Sequence, residues 1–177
     1  MVDDLARIAA SATPLREGDA QIIEAQLGRP ARGLIAIGAR CACGRPAVTV
    51  TAPRLPDGTP FPTLFYLTLP QLVYAMSRLE AEGFMAELAA RLRDDEELAA
   101  AHARAHTSYL QRRRLLEDVP EIAGVSAGGM PGRVKCLHAL AGYAMSAGPG
   151  VCPVGDIALE KIGWDRTVCT CENVGGE

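Results

Sequence analysis

Four cysteines stand in two short repeats, Cys41-Ala42-Cys43-Gly44 and Cys169-Thr170-Cys171, and two more stand alone at Cys136 and Cys152. A tetrahedral zinc ion or an iron–sulfur cluster needs several thiolates or imidazoles meeting at one point, and two cysteines in one tight turn supply half of such a set. Residues i and i+2 of an extended chain point to the same side, so the single intervening residue permits co-ligation, although zinc knuckles usually leave two to four. Gly44 lets the backbone fold around an ion. Sulfur donors suit zinc and iron, which favours Cys136 over His138 as a further ligand. If a helix begins near Pro131, Cys136 and His138 stand about 200° apart on it, so only one of them reaches any given ion. The Cys169/Cys171 pair can close the site, exchange thiols with a partner disulfide, or do neither. Cys152 precedes Pro153 after a helix stop and reads as structural.

A second chemistry lies in the run from Gly124 to Lys135. Free amides at Gly128 and Gly129 before a helix, with Arg133, Lys135 and His138 nearby, are what a phosphate or carboxylate requires. Neither the Walker pattern nor the dinucleotide fingerprint is present. His102 and His106 have the i, i+4 spacing of a chelating pair, but the zinc-protease pattern needs Glu where Ala103 stands. Arg112, Arg113 and Arg114 close a long helix as cations at its negative end.

These residues need elements to hold them. Gly33–Arg40 and Pro46–Thr51 are short, β-branched and apolar, predicting a hairpin with Cys41 to Gly44 in its turn, and Thr63–Thr68 is a third extended piece. Asp19 caps a helix to Leu27. Helices follow at 70–82, 84–93, 96–117, 131–146 and 155–162, punctuated by Pro70, Gly83, Asp94-Asp95, Pro131 and Gly148. The expected architecture is α+β: a small N-terminal antiparallel sheet packed on a mainly helical body. Residues 1–18 read as a flexible tail, 19–166 as one domain, and 167–177 as a flexible tail carrying cysteines.

The chain has 177 residues, 49% of them apolar, with 18 basic against 21 acidic side chains and a net charge of −3. That charge makes nucleic acid an unlikely partner, and the longest apolar stretch is too broken to span a membrane. No secretory signal is recognisable, so a cytoplasmic location is expected, and there thiols stay reduced and serve metals or redox chemistry before disulfides.

The runs Cys41-x-Cys43-Gly44, Thr51-Ala52-Pro53-Arg54-Leu55, Asp57-Gly58-Thr59-Pro60-Phe61-Pro62, Ser126-Ala127-Gly128-Gly129-Met130-Pro131 and Arg133-Val134-Lys135-Cys136-Leu137-His138 resemble the actinobacterial domain-of-unknown-function family 501. The likeness implies a cytoplasmic bacterial protein without an assigned activity. That family often carries cysteine where Leu69 stands and asparagine where Cys152 stands, which leaves the ligand set open. The leading expectation is a zinc or iron–sulfur site of structural or regulatory role using Cys41, Cys43 and Cys136 with one further donor, Cys152 or the Cys169/Cys171 pair. The alternatives are an enzyme or binding protein for an anionic small molecule at the glycine-rich loop, and a thiol–disulfide redox protein.

Overall fold

The computed structural model describes residues 2–171, with side chains from Leu5 onward; the part of the expected C-terminal tail beyond Cys171 lies outside the described residues. Among these residues the order is α1 (Val2–Ile8), α2 (Asp19–Leu27), β1 (Leu34–Arg40), β2 (Pro46–Thr51), β3 (Phe65–Leu67), α3 (Pro70–Ala81), α4 (Phe84–Asp94), α5 (Glu96–Arg114), a 3-10 turn at Pro120–Ile122, α6 (Leu137–Ala147) and α7 (Pro153–Lys161). The strands form one antiparallel sheet in the order β1-β2-β3. This is the expected α+β class. No helix among the described residues is long and apolar enough to cross a membrane.

Every residue of β2 is buried, because it is the central strand and both α6 and α2 pack against it. Helix α6 is rich in Ala and Gly, and from Leu140 to Ala147 it has no exposed residue. Small side chains allow close approach: a Cβ on Gly142 would stand 3.3 Å from the Phe65 carbonyl oxygen, and one on Gly155 would stand 2.2 Å from that of Leu140, where α7 crosses. Phe65, Tyr109 and Tyr143 form an aromatic cluster with centroids 5.0–5.8 Å apart, joining β3, α5 and α6. Tyr109 also accepts from the Leu64 amide at 2.6 Å and donates to the Pro62 carbonyl at 3.2 Å, so its buried hydroxyl is satisfied.

Among residues 5–18, Ile8 and Ala9 are buried, and Thr13 bridges to Ile37 at the edge of β1. Two local expectations change. Asp19 begins α2 but does not cap it. Gly18 takes that place at φ 84°, and the Asp19 carboxylate accepts from Arg40 at 2.6 and 3.0 Å and from the Arg16 amide at 2.8 Å. Helix α6 starts at Leu137, not near Pro131. Its Leu137 amide is satisfied at 2.7 Å by the carboxylate of Glu80 on α3, a cap that arrives from 57 residues away.

Candidate metal centre

The turn between β1 and β2 is tight. The Cys41 amide donates to the Arg45 carbonyl at 2.9 Å and the Gly44 amide to the Cys41 carbonyl at 2.8 Å, with Gly44 at φ 90°, a conformation that favours glycine. Arg40 secures the turn from below, since the guanidinium that pairs with Asp19 also donates to the Gly44 carbonyl at 3.0 Å and to Thr13 Oγ1 at 2.9 Å. Burial would raise the Asp19 pKa, but the Arg40 hydrogen bonds are the stronger influence and hold it below the usual carboxylate range.

After α7 the chain turns back toward this hairpin. Arg166 donates to Ser11 Oγ at 2.7 Å and to the Met145 carbonyl at 3.3 Å, and the Asp165 carboxylate caps a turn at Thr167. Gln71 of α3 donates to the Cys171 carbonyl at 2.9 Å. The consequence is that Cys169 and Cys171 stand against Cys41 and Cys43. Cys41 and Cys169 Sγ are 3.9 Å apart, Cys43 and Cys171 Sγ are 3.5 Å apart, and all four sulfurs lie within 4.8 Å of one another. Residues 167–171, expected as loose tail, supply half of the group. Cys41 is buried, Cys43 exposed and the other two intermediate. The Thr170 amide donates to Cys41 Sγ at 3.2 Å. Burial works against a Cys41 thiolate, but the Thr170 and Cys43 amides and the neighbouring thiols outweigh it and bring its pKa down to about 6. Burial and the adjacent thiols push the Cys171 thiol up instead, so Cys41 and Cys171 do not ionise together without a cation.

Cys136 is not part of this group. It stands in extended backbone, φ −153°, just before α6, and gathers with His138 and Glu80 in a separate cluster. The helical separation expected for Cys136 and His138 fails because the helix starts one residue after Cys136, and Cys136 Sγ lies 3.9 Å from His138 Nδ1. His138 Nδ1 is also 3.1 Å from Glu80 Oε1, and its Nε2 is 3.1 Å from the Val73 carbonyl and from Ser77 Oγ. The hydrogen bond to Cys136 and the charge of Glu80, opposed by burial, raise the His138 pKa to about 9. Burial opposes ionisation of Cys136, yet His138 and the Ala139 amide lower its pKa. Glu80 carries no recognisable sequence signal: it stands in no metal or catalytic motif on an amphipathic helix, and only the fold brings it to His138.

Cys152 is fully buried in the core, its thiol pushed up to about 12 by that burial, as a structural residue should be. In the glycine-rich loop, Gly128 and Gly129 use their carbonyls to accept from the Lys135 and Arg133 amides at 2.7 and 3.0 Å, and Gly128 packs on Leu140. The loop does not lead directly into a helix. Gly129, Arg133 and Lys135 line one shallow depression, whereas His138 belongs to the Cys136 cluster. Arg113 is buried and donates to the carbonyls of Pro62, Ile122 and Val125, tying this loop to α5, while Arg112 donates to the Ile8 carbonyl at 2.8 Å. His106 bonds Ser126 Oγ at 2.8 Å and His102 is wholly buried beside the Arg133 carbonyl, so both histidines brace the loop. Among the described residues neither belongs to a group of three metal donors.

An α+β body carrying a cluster of four cysteines that can hold a metal ion is the class of protein that fold and site define. Over residues 37–160 the chain matches the family described as protein of unknown function, DUF501, and it belongs to that family. Cys41, Cys43, Glu80, Cys136 and His138 fall inside the matched residues; Cys169 and Cys171 follow them. No curated protein and no solved structure matches the chain.

Proposed function

We propose that the chain is a metal protein in which Cys41, Cys43, Cys169 and Cys171 bind a single zinc ion that closes the fold. The carrying observation is the mutual approach of the four sulfurs, none more than 4.8 Å from another. Zinc–thiolate bonds of about 2.3 Å arranged tetrahedrally put sulfurs about 3.8 Å apart, close to the 3.9 and 3.5 Å of the two nearest pairs. A multinuclear iron–sulfur cluster interposes several irons and sulfides between its cysteines and needs more room than this. Four protein thiolates leave no coordination position for a substrate, which is the mark of a structural ion.

The ion's task follows from where the donors sit. Two belong to the β1–β2 turn and two to the returning C-terminal segment, so the metal fastens the end of the chain to the sheet. Amide donation from Thr170 to Cys41 neutralises part of the thiolate charge, as outer-shell groups do around metal ligands. Elemental analysis of protein purified under reducing conditions tests the reading. At least one equivalent of zinc is expected, and both Cys43→Ser and Cys171→Ser lose one equivalent. Metal-free protein that gains neither stability nor zinc when the ion is supplied would overturn it, as would two disulfides joining the same four residues in protein kept reduced.

A further inference from the structure

The cluster at the start of α6 has a different character from the four cysteines. His138 Nε2 stands 3.1 Å from both the Val73 carbonyl, which can only accept, and Ser77 Oγ, so a hydrogen on Nε2 donated to Val73 satisfies that side of the ring. In neutral imidazole, Nδ1 is then a lone pair facing the Glu80 carboxylate at 3.1 Å and the Cys136 sulfur at 3.9 Å. Three potential donor atoms turned toward one point suit a shared cation. A proton on Nδ1 reaches one of the two neighbours at a time, whereas a metal ion is shared by the carboxylate and the sulfur.

The arrangement also argues against a nucleophilic relay. In such a relay one ring nitrogen takes the thiol proton while an orienting group holds the other. Here thiol and carboxylate converge on the same nitrogen, and the opposite one is fixed by a backbone carbonyl, as the outer ring nitrogen of a metal-bound histidine is. The Leu137 amide, donating to Glu80 Oε1 at 2.7 Å, orients the carboxylate in the same way.

We infer that Glu80, Cys136 and His138 form a second divalent-metal site, with one carboxylate, one thiolate and one imidazole donor and a fourth position open to ligand. The three donor atoms lie within 4.8 Å of one another. Three protein donors with an open position are the pattern of a catalytic rather than a structural zinc, and the fourth position takes water or a substrate oxygen. Cys136 and His138 belong to the wall of a cavity of about 720 Å³, otherwise formed mainly by apolar side chains including Leu67, Pro70, Val73 and Tyr74. The ligand class that fits has an apolar body and a metal-binding oxygen head.

The test uses the full chain, stripped of metal by a chelator under reducing conditions and titrated with Co²⁺. Two equivalents are expected, one with the intense charge-transfer absorption of four thiolates and one with much weaker bands. Cys136→Ser and Glu80→Gln each remove or weaken the second equivalent by at least about tenfold and leave the first. Cys169→Ser does the reverse, so the two sites stand or fall separately. Octanohydroxamic acid, an apolar chain with a metal-binding head, should shift the weaker bands; no shift would overturn the open position. In wild-type protein, Zn²⁺ should slow iodoacetamide labelling of Cys136, mapped by mass spectrometry, by about tenfold or more. An unchanged labelling rate, or a second equivalent that persists in both variants, would overturn the site.

Discussion

Replacing a single sulfur separates the ligands from the bystanders. Cys169→Ser should lose the zinc ion and destabilise the chain by about 3 kcal/mol or more, a fall in Tm of roughly 6–12 °C. Cys152→Ser, which alters a thiol sealed in the core, should keep its zinc and lose about 1–3 kcal/mol through burial of a hydroxyl. Elemental analysis and thermal melts on the two variants read both outcomes. Arg40 is the residue beneath the site. Arg40→Met leaves the Asp19 carboxylate buried without its partner, and a loss of roughly 3–5 kcal/mol at pH 7 is expected. Because the folded-state pKa of Asp19 is lowered, the ion pair's stabilisation is present above the ordinary carboxylate value and is lost as pH falls through the folded one. The gap between variant and wild type should therefore narrow below about pH 4, which denaturant titrations at a series of pH values would follow.

At the scale of elements, the strongest claim concerns the crossing of α6 and α7. Gly155→Ala forces a methyl group into the Leu140 carbonyl, and overpacking of this kind should cost about 1–3 kcal/mol by urea unfolding. Most elements were legible in the residues: Pro70, Gly83 and the Asp94-Asp95 pair mark their own boundaries, and Asp95 accepts from the Leu98 amide at 2.9 Å as an N-cap should. The start of α6 was not. Pro131 is a helix opener by local rules, but the chain stays irregular until Glu80 arrives from α3 to cap Leu137, and no local pattern announces a cap from another helix. That one displacement changed the site, because Cys136 and His138 flank a helix start instead of sharing a helix. The two C-x-C runs were legible as candidate thiolate donors from type and spacing, with the role of Cys169 and Cys171 left open. Which distant cysteines joined Cys41 and Cys43 depended on the return of the chain after α7, which is set by anchors such as Arg166 and Gln71 that look like ordinary surface residues in sequence.

For the whole molecule, an ion held by the four cysteines would join the β1–β2 turn to residues 169–171, segments that already touch through the Thr170 amide and Cys41 Sγ. Removing residues 167–177 should abolish tetrathiolate zinc binding yet leave a cooperatively unfolding domain of lower Tm, because the sheet and α6 bury their surfaces independently of that segment. Chelation of the intact chain should raise amide hydrogen exchange around residues 41–46 and 163–171, while α6, buried along most of its length, stays protected. Loss of protection in α6 at the same chelator concentration would mean that the ion supports the entire core.

The separation of the two cysteine pairs has a consequence for biosynthesis. Cys41 and Cys169 are 128 residues apart, so the hairpin leaves the ribosome long before its partners do. The nascent polypeptide can shape the sheet early, but the four sulfurs can meet only after Cys171 has been added. If the four sulfurs hold an ion, any product that stops before Cys169 carries half a binding site and leaves the hairpin pair without its partners.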